Sequence, residues 1–172
     1  ALAAAASLAV VAYLAFRQPA AVPEPMVATS YEHRVLEDGS VYEVRSVARC
    51  TRFGEVVFNT AMTGYQEILT DPSYRGQIVV MTQPHIGNYG MNRASAESGR
   101  IWVEGFIARQ FTAEPSNFDS ESGLVAELQT SGVPALDGID TRALVRKLRD
   151  RGALRGAITS ERSDVAALLA EV

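Results

Sequence analysis

The residues best suited to chemistry are a serine and its neighbours in the run Asp71-Pro72-Ser73-Tyr74. Pro72 presets φ at the second position of a type I turn, and the Asp71 carboxylate can accept the amide hydrogen of Ser73. The turn therefore predicts an outward Ser73 hydroxyl, which can bind a small polar ligand with little loss of rotamer entropy. An ordinary surface turn has the same composition, and composition by itself favours that interpretation.

A second run, Ile86-Gly87-Asn88-Tyr89-Gly90, combines residue types that tolerate positive φ. Its successive amides can cradle an anion. A compact turn after a buried strand is the commoner structure and is the one we predict, with Tyr89 reaching a partner subunit. The adjacent His85 has no carboxylate or serine partner that the sequence fixes, so we predict a loop or packing residue rather than a catalytic base.

Other reactive groups are sparse. Cys50 is the only cysteine, which excludes an internal disulfide and suits a reducing compartment. Positive charge from Arg49 and Arg52 favours its thiolate but supplies neither a base nor an oxyanion hole, so we do not expect a nucleophile. No cysteine or histidine has metal-ligand spacing, and the segment 60–66 lacks a glycine-rich phosphate motif. We therefore expect neither structural zinc nor a dedicated nucleotide site.

Composition and charge narrow the class of protein. The chain has 172 residues, of which 47% are apolar, and a formal net charge of −4, which predicts one domain with a substantial core. The acidic balance gives no electrostatic reason to expect nucleic acid. Arg142, Arg146 and Arg149 share one stripe of a predicted helix. That stripe is either a solvated face, the commoner case, or a docking surface for an acidic partner.

The first sixteen residues are apolar except for Ser7 and Tyr13. This run is shorter than the roughly twenty residues that a bilayer span needs, and no basic region precedes it as in a secretory signal. We assign residues 1–18 to an apolar helix or a membrane segment, and residues 19–33 to a Pro/Ala linker. If the segment inserts, Arg17 favours a cytoplasmic position for the domain on its carboxy-terminal side.

The elements that must position these groups begin with a β-hairpin around Asp38-Gly39, between the alternating runs 34–37 and 40–47. Further strands are predicted at 55–59, 77–82, 101–109 and 154–158, and the one at 77–82 should be buried on both faces. Because several strands precede the first long helix, we expect mixed pairing.

Helices are predicted late in the chain from capping residues, apolar stripes and terminal glycines. The first contains Leu124, Val125 and Leu128, is capped by Ser120 or Ser122 and stops at Gly132. The second spans Thr141–Arg151, is capped by Asp140 and is ended by Gly152. The last is a short segment capped by Ser163. The chain ends inside that last segment, so we expect it to continue downstream.

In their order, these runs resemble the amino-terminal domain of the carbamoyl-phosphate synthase small subunit. The stretch 54–74 and the run 86–90 carry most of the resemblance, which extends from about Val35 to about Ile158. Further blocks stand in the same order: Leu36-Glu37-Asp38-Gly39, Pro115-Ser116-Asn117-Phe118, residues 138–144 and residues 152–156. Several separated blocks in the right order make the resemblance specific.

The resemblance implies an α/β domain of the swivelling β/β/α type with a mixed sheet over residues 34–160. Residues 161–172 would begin the linker to a carboxy-terminal glutaminase domain that is absent from this chain. By the same resemblance, the whole protein would be the glutamine-hydrolysing synthase that makes carbamoyl phosphate in the cytoplasm for arginine and pyrimidine biosynthesis. A membrane-tethered, non-catalytic interaction module built from the same domain is the alternative.

The resemblance also assigns roles. Ser73 matches a serine that helps to bind glutamine in the neighbouring glutaminase domain, and no catalytic or metal-binding residue is expected in this chain. The chain by itself would be inactive and would carry no cofactor. A large partner subunit would hold ATP and Mg²⁺, and this domain would join that subunit to the glutaminase.

Overall fold

The computed structural model describes residues 30–35, 41–47, 50–152, 154–159 and 165–171. Its strands are β1 Ser30–Val35, β2 Val41–Ser46, β3 Thr51–Asn59, β4 Gln77–Met81, β5 His85–Ile86, β6 Gly105–Ile107, β7 Gln110–Phe111, β8 Ala135–Asp137 and β9 Leu154–Thr159. Its α-helices are α1 Tyr65–Thr70, α2 Leu124–Thr130, α3 Thr141–Arg151 and α4 Val165–Glu171.

Seven of these strands form one mixed sheet in the order β1-β2-β8-β6-β4-β3-β9. Strands β3, β4, β6 and β8 run parallel to one another, whereas β2 is antiparallel to β8 and β9 is antiparallel to β3. The predicted α/β class and the mixed pairing are therefore confirmed. Strands β5 and β7 make a separate parallel pair beyond the carboxyl ends of β4 and β6.

Strand β4 divides the core into two layers because successive side chains point to opposite faces. Ile78 and Val80 belong to the layer that α3 covers, and Val79 and Met81 belong to the layer that α1 and α2 cover. All four side chains are at most 1% exposed, so the predicted burial of this strand on both faces is confirmed. Burying each such side chain contributes about 1.5–3 kcal/mol.

The predicted hairpin is confirmed, since β1 and β2 pair antiparallel with Val35 opposite Val41. Strand β1 nevertheless begins at Ser30, so four residues of the predicted linker 19–33 are part of the sheet. Their backbone groups find partners on β2, which local composition does not reveal. The Asp38-Gly39 pair and residues 1–29 lie outside the described residues. Among the helices that are described, none combines the length and apolarity needed to cross a bilayer.

The predicted strand 101–109 is wrong over much of its length, because only Gly105–Ile107 pairs as β6. The preceding residues bond elsewhere: the Trp102 amide donates to Leu69 O at 2.9 Å, and the Glu104 amide donates to Gln77 O at 2.8 Å. The Trp102 indole also donates to the Ser98 hydroxyl at 2.8 Å. The apolar pattern signals burial here, but these bonds tie the segment to α1 and the start of β4 instead of to a ladder.

Helix α3 matches its prediction at both ends. The Asp140 carboxylate accepts the amide hydrogen of Ala143 at 3.0 Å, and Gly152, with φ of 81°, follows the last helical residue. Strand β9 is also found where predicted. Helix α4 occupies the last predicted segment, although Ser163, its proposed cap, lies outside the described residues.

The predicted cap of helix α2 is wrong. The N-cap position is Gly123, and both candidate serines bond elsewhere. The Ser122 hydroxyl donates to the Glu127 carboxylate at 2.6 Å, and the Ser120 hydroxyl donates to the Ser122 carbonyl at 3.0 Å. The helix ends at Thr130, before Gly132 with its φ of 63°, so the predicted stop is confirmed.

Candidate functional site

The run from Asp71 to Tyr74 folds as the predicted turn, with a single 3₁₀ turn over Pro72–Tyr74. The Asp71 carboxylate accepts the amide hydrogen of Ser73 at 2.8 Å, and the Asp71 carbonyl accepts that of Tyr74 at 3.1 Å. Ser73 is exposed. The geometry of the turn and the outward position of its serine are confirmed, whereas the ligand of Ser73 stays a prediction.

Tyr74 anchors this turn to the sheet. Its half-buried ring packs against the main core, and its hydroxyl accepts a hydrogen bond from the Asn59 side-chain amide at 3.0 Å. The Asn59 side-chain oxygen, Oδ1, in turn accepts the amide hydrogen of Ala61 at 2.8 Å. Sequence reasoning missed this pair. The available signal was a polar amide directly after the apolar run 56–58, since such a side chain needs a partner when it is partly buried.

Helix α1, which precedes the turn, begins without a capping side chain because its N-cap residue is Gly64. Tyr89 supplies the missing acceptor: its hydroxyl accepts the amide hydrogens of Gly64 at 2.6 Å and Tyr65 at 3.1 Å. The rings of Tyr65 and Tyr89 stack with their centroids 4.1 Å apart. The first amides of a helix need acceptors, and the Tyr89 hydroxyl satisfies two of them, a role inside the fold that sequence reasoning missed, whereas its contact with a partner subunit stays a prediction.

The glycines around Tyr89 make this reach feasible. Gly87 and Gly90 have φ of 99° and 72°, in the region that favours glycine, and the Gly90 amide donates to Gly87 O at 3.1 Å. A Cβ at Gly90 would overlap the Ser120 side chain. The predicted compact turn is confirmed.

The two stacked tyrosines are poor acids in this setting. Burial raises the pKa of the Tyr65 hydroxyl above its ordinary value, and the neighbouring Tyr89 adds to that rise. Burial also raises the pKa of Tyr89, with a further contribution from the Glu67 carboxylate. Because the Tyr65 hydroxyl donates to Gly90 O at 2.7 Å, it acts as a structural donor and not as a base.

The buried polar face of α1 holds the segment that comes after Gly90. Gln66, only 3% exposed, accepts the Asn92 amide hydrogen at 2.9 Å and donates to the Asn92 carbonyl. The Thr70 hydroxyl accepts the Glu97 amide hydrogen at 2.9 Å, and the Thr70 carbonyl accepts the Ser98 hydroxyl at 2.6 Å. This side of α1 lines an open cleft of about 850 Å³. Gln66 and Thr70 form these hydrogen bonds within the domain, so neither residue offers the cleft a buried polar group that needs a ligand.

The structure does not assemble a nucleophile and base from Cys50 and His85. Cys50 precedes β3, and its thiol donates to Gly132 O at 3.6 Å. His85 is exposed in β5, beyond the opposite end of the parallel strands. Over the residues that the structure describes, no group of three His, Cys, Asp or Glu side chains could hold a metal ion.

The arginine stripe lies where the helical spacing predicts. Arg142, Arg146 and Arg149 are exposed on α3, on the side opposite the buried Leu144 and Leu148. The Arg149 guanidinium lies 3.6 Å from the carboxylate of its neighbour Asp150. The geometry fits a solvated face, and the predicted acidic partner stays a prediction.

Comparison with known proteins gives one family. The model of the family described as "Carbamoyl-phosphate synthase small chain, CPSase domain" matches residues 35–158. The carbamoyl phosphate synthase small chain of Caldanaerobacter subterraneus subsp. tengcongensis is 52% identical over 130 residues, which cover 75% of this chain and 36% of the relative. That of Thermus thermophilus is 55% identical over 125 residues, which cover 72% of this chain and 32% of the relative. That of Fusobacterium nucleatum is 50% identical over 139 residues, which cover 80% of this chain and 39% of the relative.

The family match runs from Val35, the last residue of β1, to Ile158 in β9. The chain spans about a third of the length of these relatives, between 32% and 39%. The matched region includes the serine turn, both stacked tyrosines and α3.

Proposed function

The chain belongs to the carbamoyl-phosphate synthase small-chain family, and from this membership we propose that it serves as the amino-terminal domain of the small subunit of the glutamine-hydrolysing synthase. The single observation that carries the proposal is the match over residues 35–158. In this function the domain supports carbamoyl phosphate synthesis from glutamine, bicarbonate and ATP, for arginine and pyrimidine biosynthesis. Its contribution is structural, because the chemistry belongs to neighbouring domains.

The proposal includes a division of labour that extends beyond this chain. Residues 34–160 are the domain, of the swivelling β/β/α type, and residues 161–172 begin the linker to a glutaminase domain. A separate large subunit binds ATP and Mg²⁺ and consumes the ammonia that the glutaminase releases. The complex acts in the cytoplasm. This location rests on the resemblance and on a single cysteine that suits a reducing compartment.

Within this function, Ser73 contacts glutamine at the edge of the glutaminase site. Three features support that role: the hydroxyl is exposed, the Asp71 carboxylate holds the backbone of the turn, and Tyr74 fixes the turn to β3. A hydroxyl on such a support loses little conformational entropy when it binds a polar ligand. Glutamine offers charged groups, to which one hydrogen bond contributes about 1.5–3 kcal/mol.

The test replaces Ser73 with alanine in a complete small chain assembled with the large subunit. We expect kcat/KM for glutamine to fall about tenfold or more, which is the loss of one hydrogen bond to a charged group. Synthesis from free ammonia should stay close to that of the unmodified complex, because ammonia bypasses the glutaminase. Steady-state rates with each nitrogen donor measure the difference.

Ser95→Ala is the matched control, since Ser95 occupies a similar turn in which the Asn92 side chain accepts its amide hydrogen at 2.8 Å. This control should leave both activities unchanged. An equal loss of the glutamine and ammonia reactions in Ser73→Ala would show that Ser73 acts through folding, and the proposed contact would then be rejected.

A further inference from the structure

Asn59, the last residue of β3, makes hydrogen bonds with both ends of its side-chain amide. Its Oδ1 accepts the Ala61 amide hydrogen at 2.8 Å, and its Nδ2 donates to the Tyr74 hydroxyl at 3.0 Å. A backbone amide can only donate, so the bond to Ala61 fixes which end of the side chain faces Tyr74. Asn59 therefore presents a donor, in one orientation, to the turn that carries Ser73.

The backbone of Asn59 is held as well. Asn59 pairs with Met81 at the end of the parallel ladder between β3 and β4, and its carbonyl accepts the Thr82 amide hydrogen at 3.0 Å. Met81 is fully buried. The donor that faces Tyr74 thus belongs to the hydrogen-bonded sheet, and the packing of the core sets its position.

The serine turn has few other links to the sheet. The Asp71 amide donates to Glu67 O at 2.9 Å, which joins the turn to α1. In the part of the chain that the structure describes, the bond from Asn59 is the single hydrogen bond between residues 71–75 and a strand. The Tyr74 ring also packs on the core, but apolar packing is non-directional, whereas a hydrogen bond fixes distance and angle.

We propose that Asn59 is a positioning residue for glutamine use: through Tyr74 it sets the place of the Ser73 hydroxyl, and it does not itself contact glutamine. The inference rests on the proposed function, in which Ser73 binds glutamine, and adds a residue to it. Ser73 precedes Tyr74 directly, so a shift of the Tyr74 side chain moves the backbone that carries the serine. A small misplacement of a group that orients a substrate costs activity even when no contact residue is replaced.

The chemistry of the bond offers a conservative variant. A tyrosine hydroxyl can donate as well as accept. In Asn59→Asp the carboxylate still accepts the Ala61 amide hydrogen, and the Tyr74 hydroxyl can reverse its role and donate to it. Asn59→Asp therefore keeps the link between β3 and the turn, whereas Asn59→Ala removes it. In a Tyr74→Phe background the reversal is impossible.

The test measures steady-state rates with glutamine and with free ammonia, for a complete small chain that carries each variant and is assembled with the large subunit. In Asn59→Ala, kcat/KM for glutamine should fall about three- to tenfold, the effect of one lost hydrogen bond. The loss should appear in KM, as expected for a binding contact, and the ammonia reaction should stay unchanged. Asn59→Asp should recover most of the loss, and adding Tyr74→Phe should abolish that recovery.

The combination with Ser73→Ala decides whether Asn59 acts through the serine. Once the hydroxyl is absent, Asn59 has nothing left to position, so Asn59→Ala added to Ser73→Ala should cost no further glutamine activity. Asn92→Ala is the matched control, because the Asn92 side chain also accepts a backbone amide hydrogen, that of Ser95, at 2.8 Å. This control should leave both reactions unchanged.

The other outcomes separate this inference from the proposed function. If Ser73→Ala lowers glutamine use and Asn59→Ala does not, the inference is rejected and the proposed function stands. If the two losses multiply in the double variant, or if Asn59→Ala lowers the ammonia reaction equally, Asn59 acts through folding and the inference is again rejected. No recovery in Asn59→Asp would reject the route through Tyr74. If Ser73→Ala itself leaves glutamine use unchanged, the proposed glutamine contact is rejected, and the inference with it.

Discussion

Individual side chains in this domain act mainly by satisfying backbone groups that the local sequence leaves open. Tyr89 accepts the first amide hydrogens of α1, and Asp71 accepts that of Ser73. Each contact crosses from a side chain to a backbone amide that has no acceptor within its own element. The serine turn owes its position to such contacts, and so does the helix that leads into it.

We predict that Tyr89→Phe lowers the free energy of unfolding by about 1–3 kcal/mol, because the Gly64 and Tyr65 amides lose their acceptor in a partly buried site. The stacked ring stays, so the loss isolates the hydroxyl. Urea unfolding followed by circular dichroism measures it.

Tyr74→Phe is the matched comparison for that variant. It also removes one tyrosine hydroxyl, but that hydroxyl accepts one hydrogen bond, from the Asn59 side-chain amide, instead of two from backbone amides. Its cost should therefore be the smaller of the two. If Tyr89→Phe costs no more than Tyr74→Phe, the Tyr89 hydroxyl does not cap α1.

At the scale of elements, some helix ends are determined by the residues next to them in sequence, and others depend on residues far away in the chain. Both ends of α3 are determined by its own sequence, since Asp140 supplies the cap and Gly152 the stop. Helix α1 instead begins at a glycine, and its acceptor comes from a loop about 25 residues away along the chain. A substitution of Asp140 should therefore weaken the start of α3, whereas a substitution of Tyr89 should weaken the start of α1.

We predict that Asp140→Ala lowers the free energy of unfolding by about 1 kcal/mol, the usual cost of losing an aspartate N-cap. Asp150→Ala is the control on the same helix. Asp150 sits in the last turn beside Arg149, where an exposed ion pair contributes little and an acidic residue opposes the helix dipole. Thermal unfolding of both variants decides the point, and equal destabilisation would contradict the capping role.

At the scale of the whole molecule, the sheet separates the two groups whose side chains could otherwise react together. Cys50 lies at the amino end of β3, and His85 lies beyond the carboxyl end of β4, which runs parallel to it. A thiol needs a base and an oxyanion hole to act on an amide. The fold therefore keeps Cys50 and His85 from acting together as a nucleophile and its base.

We predict that the isolated chain releases no ammonia from glutamine above the uncatalysed background. The measurement is a coupled ammonia assay on the purified 172-residue chain, with Cys50→Ala run in parallel. Ammonia release by the unmodified chain that disappears in Cys50→Ala would contradict the prediction, because it would make Cys50 a nucleophile.

The sequence by itself determined the features that depend on neighbouring residues. The serine turn, the cap and stop of α3 and the buried strand β4 are set by spacing, φ preferences and apolar runs over a few positions. The order of these features also carried the family resemblance, which the match to residues 35–158 confirms.

Tertiary structure decided whatever depends on a partner distant in sequence. The role of Tyr89, the bond between Asn59 and Tyr74, and the pairing of only part of 101–109 were all missed or wrongly predicted. In each case a hydrogen bond joins groups on different elements, and local propensities contain no information about which elements meet.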